Sequence, residues 1–252
     1  MFDKLETKLN FFNLTAGYRK RDGLPWDLSD CSYSGVGGNE YFNTEGSTDN
    51  TPIVFVHGNT RSSRDWDEHI EYLIDNGYVG DDIWAITFDK PTSSHEEMAE
   101  QLESFILNVL EITGENNVSI VSHSLGVTGS RYWMYSKNRY DVVESFLGIA
   151  GPNHGMEVSR RLSIMNATYG VARPADFIRS DYERIQGHPL SKMNNTEPVE
   201  SVDYYTIRGS KDTLYQDKTS PMIEGGTNIE LDKGHDACKD ADATKKQILK
   251  SL

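Results

Sequence analysis

A serine near the middle of the chain has neighbours that are small enough for a sharp turn. It lies in the segment SHSLG, residues 122–126, which follows the apolar run 118–121 and begins a helical pattern. Where a strand turns directly into a helix, the pattern small-x-Ser-x-Gly strains the serine so that its Oγ projects, and here Ser122 stands where glycine is usual. The helix also directs its N-terminal N–H groups toward an oxyanion formed beside the serine. We therefore predict that Ser124 is a nucleophile.

Two later loops contain the partners that a serine nucleophile requires. Such a serine needs an imidazole to take its proton and a carboxylate to fix the tautomer of that imidazole. The segment RGSKD at 208–212 follows the strand predicted at 204–207, and the segment DKGHD at 232–236 follows the strand predicted at 228–231. Serine, then acid, then histidine is the chain order of a triad built on a doubly wound sheet. We predict that Asp212 and His235 complete a triad with Ser124.

The segment HGN at 57–59 follows the first strong apolar run, residues 53–56. In a doubly wound sheet this loop faces the turn that holds the nucleophile, and Gly58 allows the two backbones to approach closely. We expect the amide of Asn59 to provide an oxyanion-binding N–H. We expect His57 to organise the loop rather than to act as a base.

The remaining histidines are given other roles. His123 is expected to pack against the turn and shape it. His154, in the segment GPNHG after the fourth apolar run, is expected to line the pocket wall. His69, His95 and His188 are predicted at surface or helix-face positions. No set of His, Cys, Asp and Glu has the sequence spacing of a metal site, so neither a metal nor a cofactor is expected.

Short apolar runs alternate with helical patterns from residue 51 onward. Strands are predicted at 53–56, 83–88, 118–121, 146–150, 204–207 and 228–231. Helices are predicted at about 66–74, 98–110, 125–135 and 240–252. Strands that are separated by helices of this length pair in parallel, with helices on both faces of the sheet. We predict an α/β fold with a mostly parallel, doubly wound sheet of about six strands, and a site beyond the C-terminal ends of those strands.

The chain is predicted to consist of an N-terminal arm, residues 1–50, that packs on a single domain of residues 51–252. Gly, Ser, Asn and Thr are frequent in residues 32–50, which is typical of a loop or linker. One long excursion, at about 151–202, interrupts the alternation. Two helices are predicted within it, over 158–169 and 175–185. An excursion of this length between two core strands is typical of a cap, a lid or a binding wall.

The composition argues against several classes of partner. The 252 residues include 25 basic and 39 acidic side chains, which gives a formal net charge of −14. This charge disfavours binding to nucleic acid or to an anionic membrane surface, because both would repel the chain. No run approaches the roughly 18 apolar residues of a membrane span. The excess of carboxylates is also consistent with a salt-rich habitat, where a carboxylate-rich surface keeps a protein hydrated.

The N-terminal residues and the two cysteines give information on whether the protein is secreted or cytoplasmic. The first residues have neither the basic start nor the apolar core of a signal peptide. A mature chain without its leader would look the same, and a secreted protein is favoured over a cytoplasmic one. Cys31 and Cys238 exclude a disulfide-rich scaffold and a cysteine metal cluster. They are either two unrelated thiols or one bridge.

Several segments resemble the α/β-hydrolases, and among them the small bacterial class 2 lipases. The longest are PIVFVHG at 52–58, DIWAITF at 82–88, VLEITGENNVSIVSHSLG at 109–126 and LGIAGPNHG at 147–155. SKD at 210–212 and GH at 234–235 match the acid and base segments of that family. The resemblance covers about two-thirds of the chain, from roughly residue 51 to 235. The first fifty residues and the long 151–202 excursion depart from the small lipases.

The resemblance implies an α/β-hydrolase fold and a lipase or esterase activity. It implies Ser124, Asp212 and His235 as the triad, and the amides of Asn59 and Leu125 as the oxyanion hole. The HGN segment also resembles extracellular polyhydroxyalkanoate depolymerases, so a polyester depolymerase with the same mechanism is an alternative, and a non-catalytic binding protein on the same fold is another. The expected substrate is a neutral ester, lipid or polyester, without stable membrane insertion. The oligomeric state stays open.

Overall fold

A seven-stranded sheet forms the centre of the structure, a computed structural model that describes residues 33–90, 92–157 and 176–252. Its strands are β1 (Ser34–Gly37), β2 (Ile53–Val56), β3 (Ile83–Thr87), β4 (Val118–His123), β5 (Val143–Ile149), β6 (Asp203–Gly209) and β7 (Thr227–Leu231). Their spatial order is β1-β3-β2-β4-β5-β6-β7. Strand β1 pairs antiparallel with β3, and every other pairing is parallel. All six predicted strands are present.

Helices lie on both faces of this sheet. They are α1 (Asn39–Phe42), α2 (Asp67–Asp75), α3 (His95–Thr113), α4 (Leu125–Lys137), α5 (Pro189–Thr196), α6 (His235–Lys239) and α7 (Asp242–Ser251). Single turns of 3₁₀ helix occur at Ser63–Trp66, Gly80–Asp82, Tyr140–Val142 and Tyr182–Arg184. Within the described ranges, none of the helices combines the length and the apolar character that crossing a bilayer requires.

Alternate residues of the central strand β2 contact different layers of the core. Val54 and Val56 pack with side chains of α3 and α4, whereas Ile53 and Phe55 pack with side chains of α2 and α7. A strand that is apolar on both faces suits a sheet covered on both sides. This explains why β2 reads in the sequence as a continuous apolar run. The predicted α/β class and the doubly wound parallel sheet are thus confirmed.

The seventh strand, β1, lies in the segment that was expected to be a loop. Its sequence is SGVG, and its glycines lie against β3. A Cβ on Gly35 would lie 2.6 Å from the carbonyl oxygen of Ala85, and one on Gly37 would lie 2.2 Å from the Trp84 ring. Glycine is therefore needed here for close packing. The same glycines hide the strand from a search for apolar alternation.

The long excursion differs from its prediction. The helix predicted over 158–169 lies outside the described residues. The helix predicted over 175–185 is wrong in its described part, where turns and the single 3₁₀ turn at Tyr182–Arg184 occur. A helix begins instead at Pro189, because proline suits the first helical position and the His188 ring caps the helix by accepting the Leu190 N–H at 3.2 Å.

His95 is buried at the start of α3, where it joins three segments of the fold. Its ring stacks on Phe177 with a centroid distance of 3.5 Å, and its Nε2 lies 2.9 Å from the Thr128 hydroxyl in α4. Burial lowers the pKa of His95 to about 3. His69 and His188 are also buried. None of the three is at the surface, because their ring faces pack in the interior. His69 and His95 lie on buried faces of α2 and α3, which agrees with the helix-face alternative, and His188 lies just before α5.

The buried neutral His95 predicts a loss of stability in acid. Because its pKa is lowered in the folded state, the unfolded chain binds a proton below about pH 6.5 that the folded chain does not. The contribution of His95 to the free energy of unfolding is complete above about pH 6.5 and is lost as the pH falls toward the folded-state pKa. From pH 7 to pH 5, His95 alone should reduce the free energy of unfolding by about 2 kcal/mol. Urea unfolding of wild type and His95→Gln at both pH values measures this. An equal loss in both proteins would contradict it.

Candidate active site

The chain reverses sharply at Ser124, between the end of β4 and the start of α4. Ser124 has φ 53° and ψ −123°, a region that residues other than glycine rarely occupy. Its N–H donates to the carbonyl of Ile149 in β5 at 2.8 Å, and its own carbonyl accepts the N–H of Val127 at 3.1 Å. The turn is thus held from both the neighbouring strand and the helix.

The residues two positions from Ser124 are small for a structural reason. A Cβ on Gly126 would lie 2.5 Å from the carbonyl oxygen of His57, so any side chain there would push α4 away from β2. On the other side, the Ser122 hydroxyl lies 2.8 Å from the Ser130 hydroxyl in α4. A serine fits where glycine is usual because its buried hydroxyl has a hydrogen-bond partner.

Ser124, His235 and Asp212 form one continuous chain of hydrogen bonds. The Ser124 Oγ lies 2.9 Å from His235 Nε2, and His235 Nδ1 lies 2.6 Å from Asp212 Oδ2. The Asp212 side chain is 1% exposed and the His235 side chain is 16% exposed. A carboxylate can only accept, so Nδ1 carries a proton and Nε2 is left to accept from the serine. The structure therefore brings together all three residues predicted for the triad.

The loops of Asp212 and His235 are fixed to one another through their backbones. The N–H of Lys211 donates to the carbonyl of Lys233 at 3.0 Å. A Cβ on Gly209 would lie 2.4 Å from that same carbonyl oxygen, so glycine permits this approach. The Asp212 Oδ1 accepts the N–H of Leu214 at 2.9 Å. The separation of carboxylate and imidazole is thus set by the ends of β6 and β7.

The loop after β2 lies against the Ser124 turn. A Cβ on Gly58 would lie 3.0 Å from the Ser124 Cβ, so Asn59 and the first N–H groups of α4 flank the serine. His57 Nδ1 lies 2.7 Å from the Gly58 carbonyl, and its Nε2 accepts the N–H of Phe88 at 3.2 Å. Burial lowers the pKa of His57 to about 4, so the ring is neutral at pH 7. The first N–H groups of a helix have no partner within the helix and can bind an anion.

His123 lies directly behind the His235 ring. The two ring centroids are 5.0 Å apart, and His123 is 1% exposed. Burial lowers its pKa well below the usual value. Its Nδ1 lies 3.9 Å from Asp65 Oδ2 and its Nε2 lies 3.9 Å from Asp236 Oδ1. The ring therefore lies between two carboxylates at distances too long for direct hydrogen bonds.

His154 is exposed in the loop after β5, where its backbone N–H donates to the carbonyl of Ser220 at 3.0 Å. Its ring contacts the described part of the excursion. Its Nδ1 lies 3.4 Å from the Tyr182 hydroxyl and 3.4 Å from Asn194 Nδ2. Those contacts do not connect it to the hydrogen-bonded chain of Ser124.

A buried polar cluster, which the sequence did not reveal, holds the loop of His154. Arg131 in α4 donates to Asn153 Oδ1 at 2.9 Å and to Glu197 Oε2 at 2.5 Å. Both charged side chains are at most 1% exposed. Asn153 donates in turn to the carbonyl of Pro221 at 2.8 Å. The cluster fixes the start of the excursion relative to α4, and only an arginine within an otherwise buried helix hinted at it.

Comparison with known proteins gives a family for the sequence and relatives for the fold. The sequence matches the family "Lipase (class 2)" over residues 50–251. The fold is similar to that of the mature Bacillus licheniformis lipase BlEst2, with a TM-score of 0.60 and 17% identity over 87% of this chain and 98% of that one. It is also similar to the carboxylesterase CesB from Bacillus subtilis, with a TM-score of 0.53 and 13% identity over 100% and 99% of the two chains. The fold is similar as well to that of a carboxylesterase from the thaumarchaeon Nitrososphaera gargenis, with a TM-score of 0.56 and 15% identity over 86% of this chain and 92% of that one.

The close contact at Gly126 predicts that α4 cannot accept a side chain there. Gly126→Ala places a methyl group against the rigid backbone carbonyl of His57, and such overpacking costs about 1–3 kcal/mol of unfolding free energy. Gly234→Ala is the matched control, because its φ is −82° and no atom lies within 4 Å of its Cβ. Its stability should be unchanged or slightly raised. Urea unfolding compares the two, and equal stabilities would contradict the packing argument.

Proposed function

Because this chain belongs to the class 2 lipase family, we propose that it is a serine carboxylic-ester hydrolase with Ser124, His235 and Asp212 as its catalytic triad. The hydrogen-bonded chain from Ser124 Oγ through His235 to Asp212 Oδ2 carries this proposal. The residues fall in the chain order serine, acid, histidine. Acyl transfer through a serine ester is the chemistry that this arrangement performs in other hydrolases.

In the first step, His235 acts as the general base. Its Nε2 takes the proton of the Ser124 hydroxyl as Oγ attacks the ester carbonyl carbon. Asp212 holds the imidazole in the tautomer with a proton on Nδ1 and stabilises the imidazolium that forms. When the tetrahedral intermediate collapses, the carbon–oxygen bond to the alcohol breaks and His235 gives its proton to the departing oxygen. The product of this step is an acyl-enzyme on Ser124.

The oxyanion of that intermediate forms beside the α4 N-terminus. We assign its stabilisation to the amides of Asn59 and Leu125, because the loop after β2 and the first turn of α4 lie on either side of Ser124. Each such donor supplies about 3–4 kcal/mol of transition-state stabilisation in other hydrolases. The positive end of the α4 dipole acts in the same direction.

In the second step, water takes the place of serine as nucleophile. His235 removes a proton from the water as it attacks the acyl carbon, and the proton passes to Ser124 Oγ as the acyl–serine bond breaks. The His235 ring is partly open to solvent, which allows water to reach it. The free acid leaves, and the enzyme returns to its starting protonation.

A neutral ester fits the charge of the protein. With a net charge of −14, the protein repels an anionic substrate at long range. The lipase and the carboxylesterases with the same fold are named for ester hydrolysis. We therefore propose a neutral carboxylic ester as the substrate class.

Removing the nucleophile tests the proposal directly. Ser124→Ala should leave only a small residual hydrolysis of p-nitrophenyl butyrate, because no covalent intermediate can form, while the circular dichroism spectrum stays unchanged. The rate should fall by a factor on the order of 10⁵ or more. The wild-type protein should be labelled by a fluorophosphonate probe, and Ser124→Ala should not.

Ser210→Ala provides the matched control. Ser210 lies in the loop of Asp212, and its hydroxyl hydrogen bonds to the exposed Asp232 rather than to the triad. This variant should keep the wild-type rate and the fluorophosphonate label. Full turnover in Ser124→Ala would overturn the assignment of the nucleophile.

A further inference from the structure

The imidazole of His123 is buried, with 1% of the residue exposed, and its two ring nitrogens make no hydrogen bonds with the described residues. Buried polar side chains normally have hydrogen-bond partners, so an unpartnered one calls for an explanation. The ester hydrolysis proposed above does not require a second histidine at this position.

The unpartnered ring points toward two other potential metal ligands. Ligand atoms of His123, His235 and Asp236 all lie within 4.8 Å of one another, and His123 Nε2 is 3.9 Å from Asp236 Oδ1. Two imidazoles and one carboxylate are a donor set that suits Zn²⁺. In a tetrahedral zinc site, neighbouring ligand atoms lie about 3.4 Å apart. A small movement of the exposed Asp236 side chain brings the carboxylate to that distance.

We propose that His123 Nε2, Asp236 Oδ1 and a ring nitrogen of His235 form an inhibitory zinc site, with water as the fourth ligand. Asp65 supports this geometry from the opposite side of the His123 ring. Its Oδ2 lies 3.9 Å from Nδ1 and has no hydrogen-bond partner among the described residues. An approach of about 1 Å would form the N–H···O bond by which an outer carboxylate orients a zinc-bound histidine. Asp65 is held in turn by the buried Lys239, whose Nζ lies 3.2 Å from Oδ1.

Nearby charges limit the affinity of this site. Asp65 and Asp236 face the His123 ring from its two nitrogen sides and favour a cation. Arg61 opposes it, because its guanidinium is 2.8 Å from Asp236 Oδ2. Arg61 nevertheless leaves Oδ1 free to face His123 Nε2. We expect reversible binding that a chelator removes.

Zinc at this site should block the reaction proposed above, and this part rests on the proposed function. Both nitrogens of His235 already have partners in Ser124 and Asp212. A metal on Nε2 takes the lone pair that accepts the serine proton. A metal on Nδ1 displaces the proton held between His235 and Asp212 onto Nε2, which then has no lone pair to accept the serine proton. In either case the base is lost without any covalent change.

Zinc binding can be measured without any substrate. Isothermal titration of the untagged full chain with zinc chloride should give one zinc per chain. Asp236→Asn should weaken binding at least about tenfold, because the amide keeps the shape but removes the charge. Asp232→Asn removes an equal charge from the loop just before α6, where Asp232 pairs with Lys211. Its affinity for zinc should stay within about twofold of wild type.

Ester hydrolysis then tests the block. Zinc at a concentration that saturates the wild-type site should reduce p-nitrophenyl butyrate hydrolysis at least about tenfold, and EDTA should restore it. Asp236→Asn should need at least about tenfold more zinc for the same inhibition, whereas Asp232→Asn should match wild type. Magnesium should not inhibit, because it prefers an all-oxygen site.

Three results would overturn the inference. Absence of stoichiometric zinc binding would refute the site, and so would equal binding by wild type and Asp236→Asn. Zinc that binds at Asp236 without slowing hydrolysis would refute the coordination of His235. A wild-type protein without esterase activity would instead contradict the proposed function, while the titration would still decide whether the site exists.

Discussion

The reversal of the chain at Ser124 is the constraint on which the arrangement of the site depends. An L-residue at φ 53° is tolerated only where surrounding contacts hold it. Here the carbonyl of Ile149 in β5 holds the turn from one side, and the contact of Gly126 with His57 fixes α4 against β2 on the other. The three adjacent strands β2, β4 and β5 therefore determine where the serine Oγ points. The loops after β6 and β7 then deliver the carboxylate and the imidazole to that point.

The histidines around the site differ in their surroundings. His57, His95 and His123 are buried, and desolvation lowers the pKa of each. His57 and His95 make hydrogen bonds through their rings, whereas neither ring nitrogen of His123 has a partner among the described residues. The ring of His235 is partly open to solvent and lies between an acceptor, Asp212, and a donor, Ser124. The His235 ring thus contacts both a carboxylate and a hydroxyl through its two nitrogens.

The strands that are continuous apolar or alternating segments can be predicted from the sequence. Features that depend on close packing between distant segments cannot. The apolar runs gave all six predicted strands, and the strand ends placed Ser124, Asp212 and His235 in loops that meet. Strand β1 was missed because glycines chosen for close packing resemble a loop. The predicted meeting of Ser124 and His235 also brings their neighbours His123 and Asp236 together, but the burial of the His123 ring without a hydrogen-bond partner could not be read from the sequence.

The central claim is that Asp212 acts only through the proton transfer between His235 and Ser124. A double-mutant cycle on kcat/KM for p-nitrophenyl butyrate tests it most directly, with Asp212→Asn measured in wild-type and Ser124→Ala backgrounds. The claim predicts a loss on the order of 10³–10⁴-fold in the wild-type background, because the imidazole adopts the wrong tautomer. It predicts a loss of less than about twofold in the Ser124→Ala background, where there is no serine proton to transfer. Equal losses in both backgrounds would contradict it.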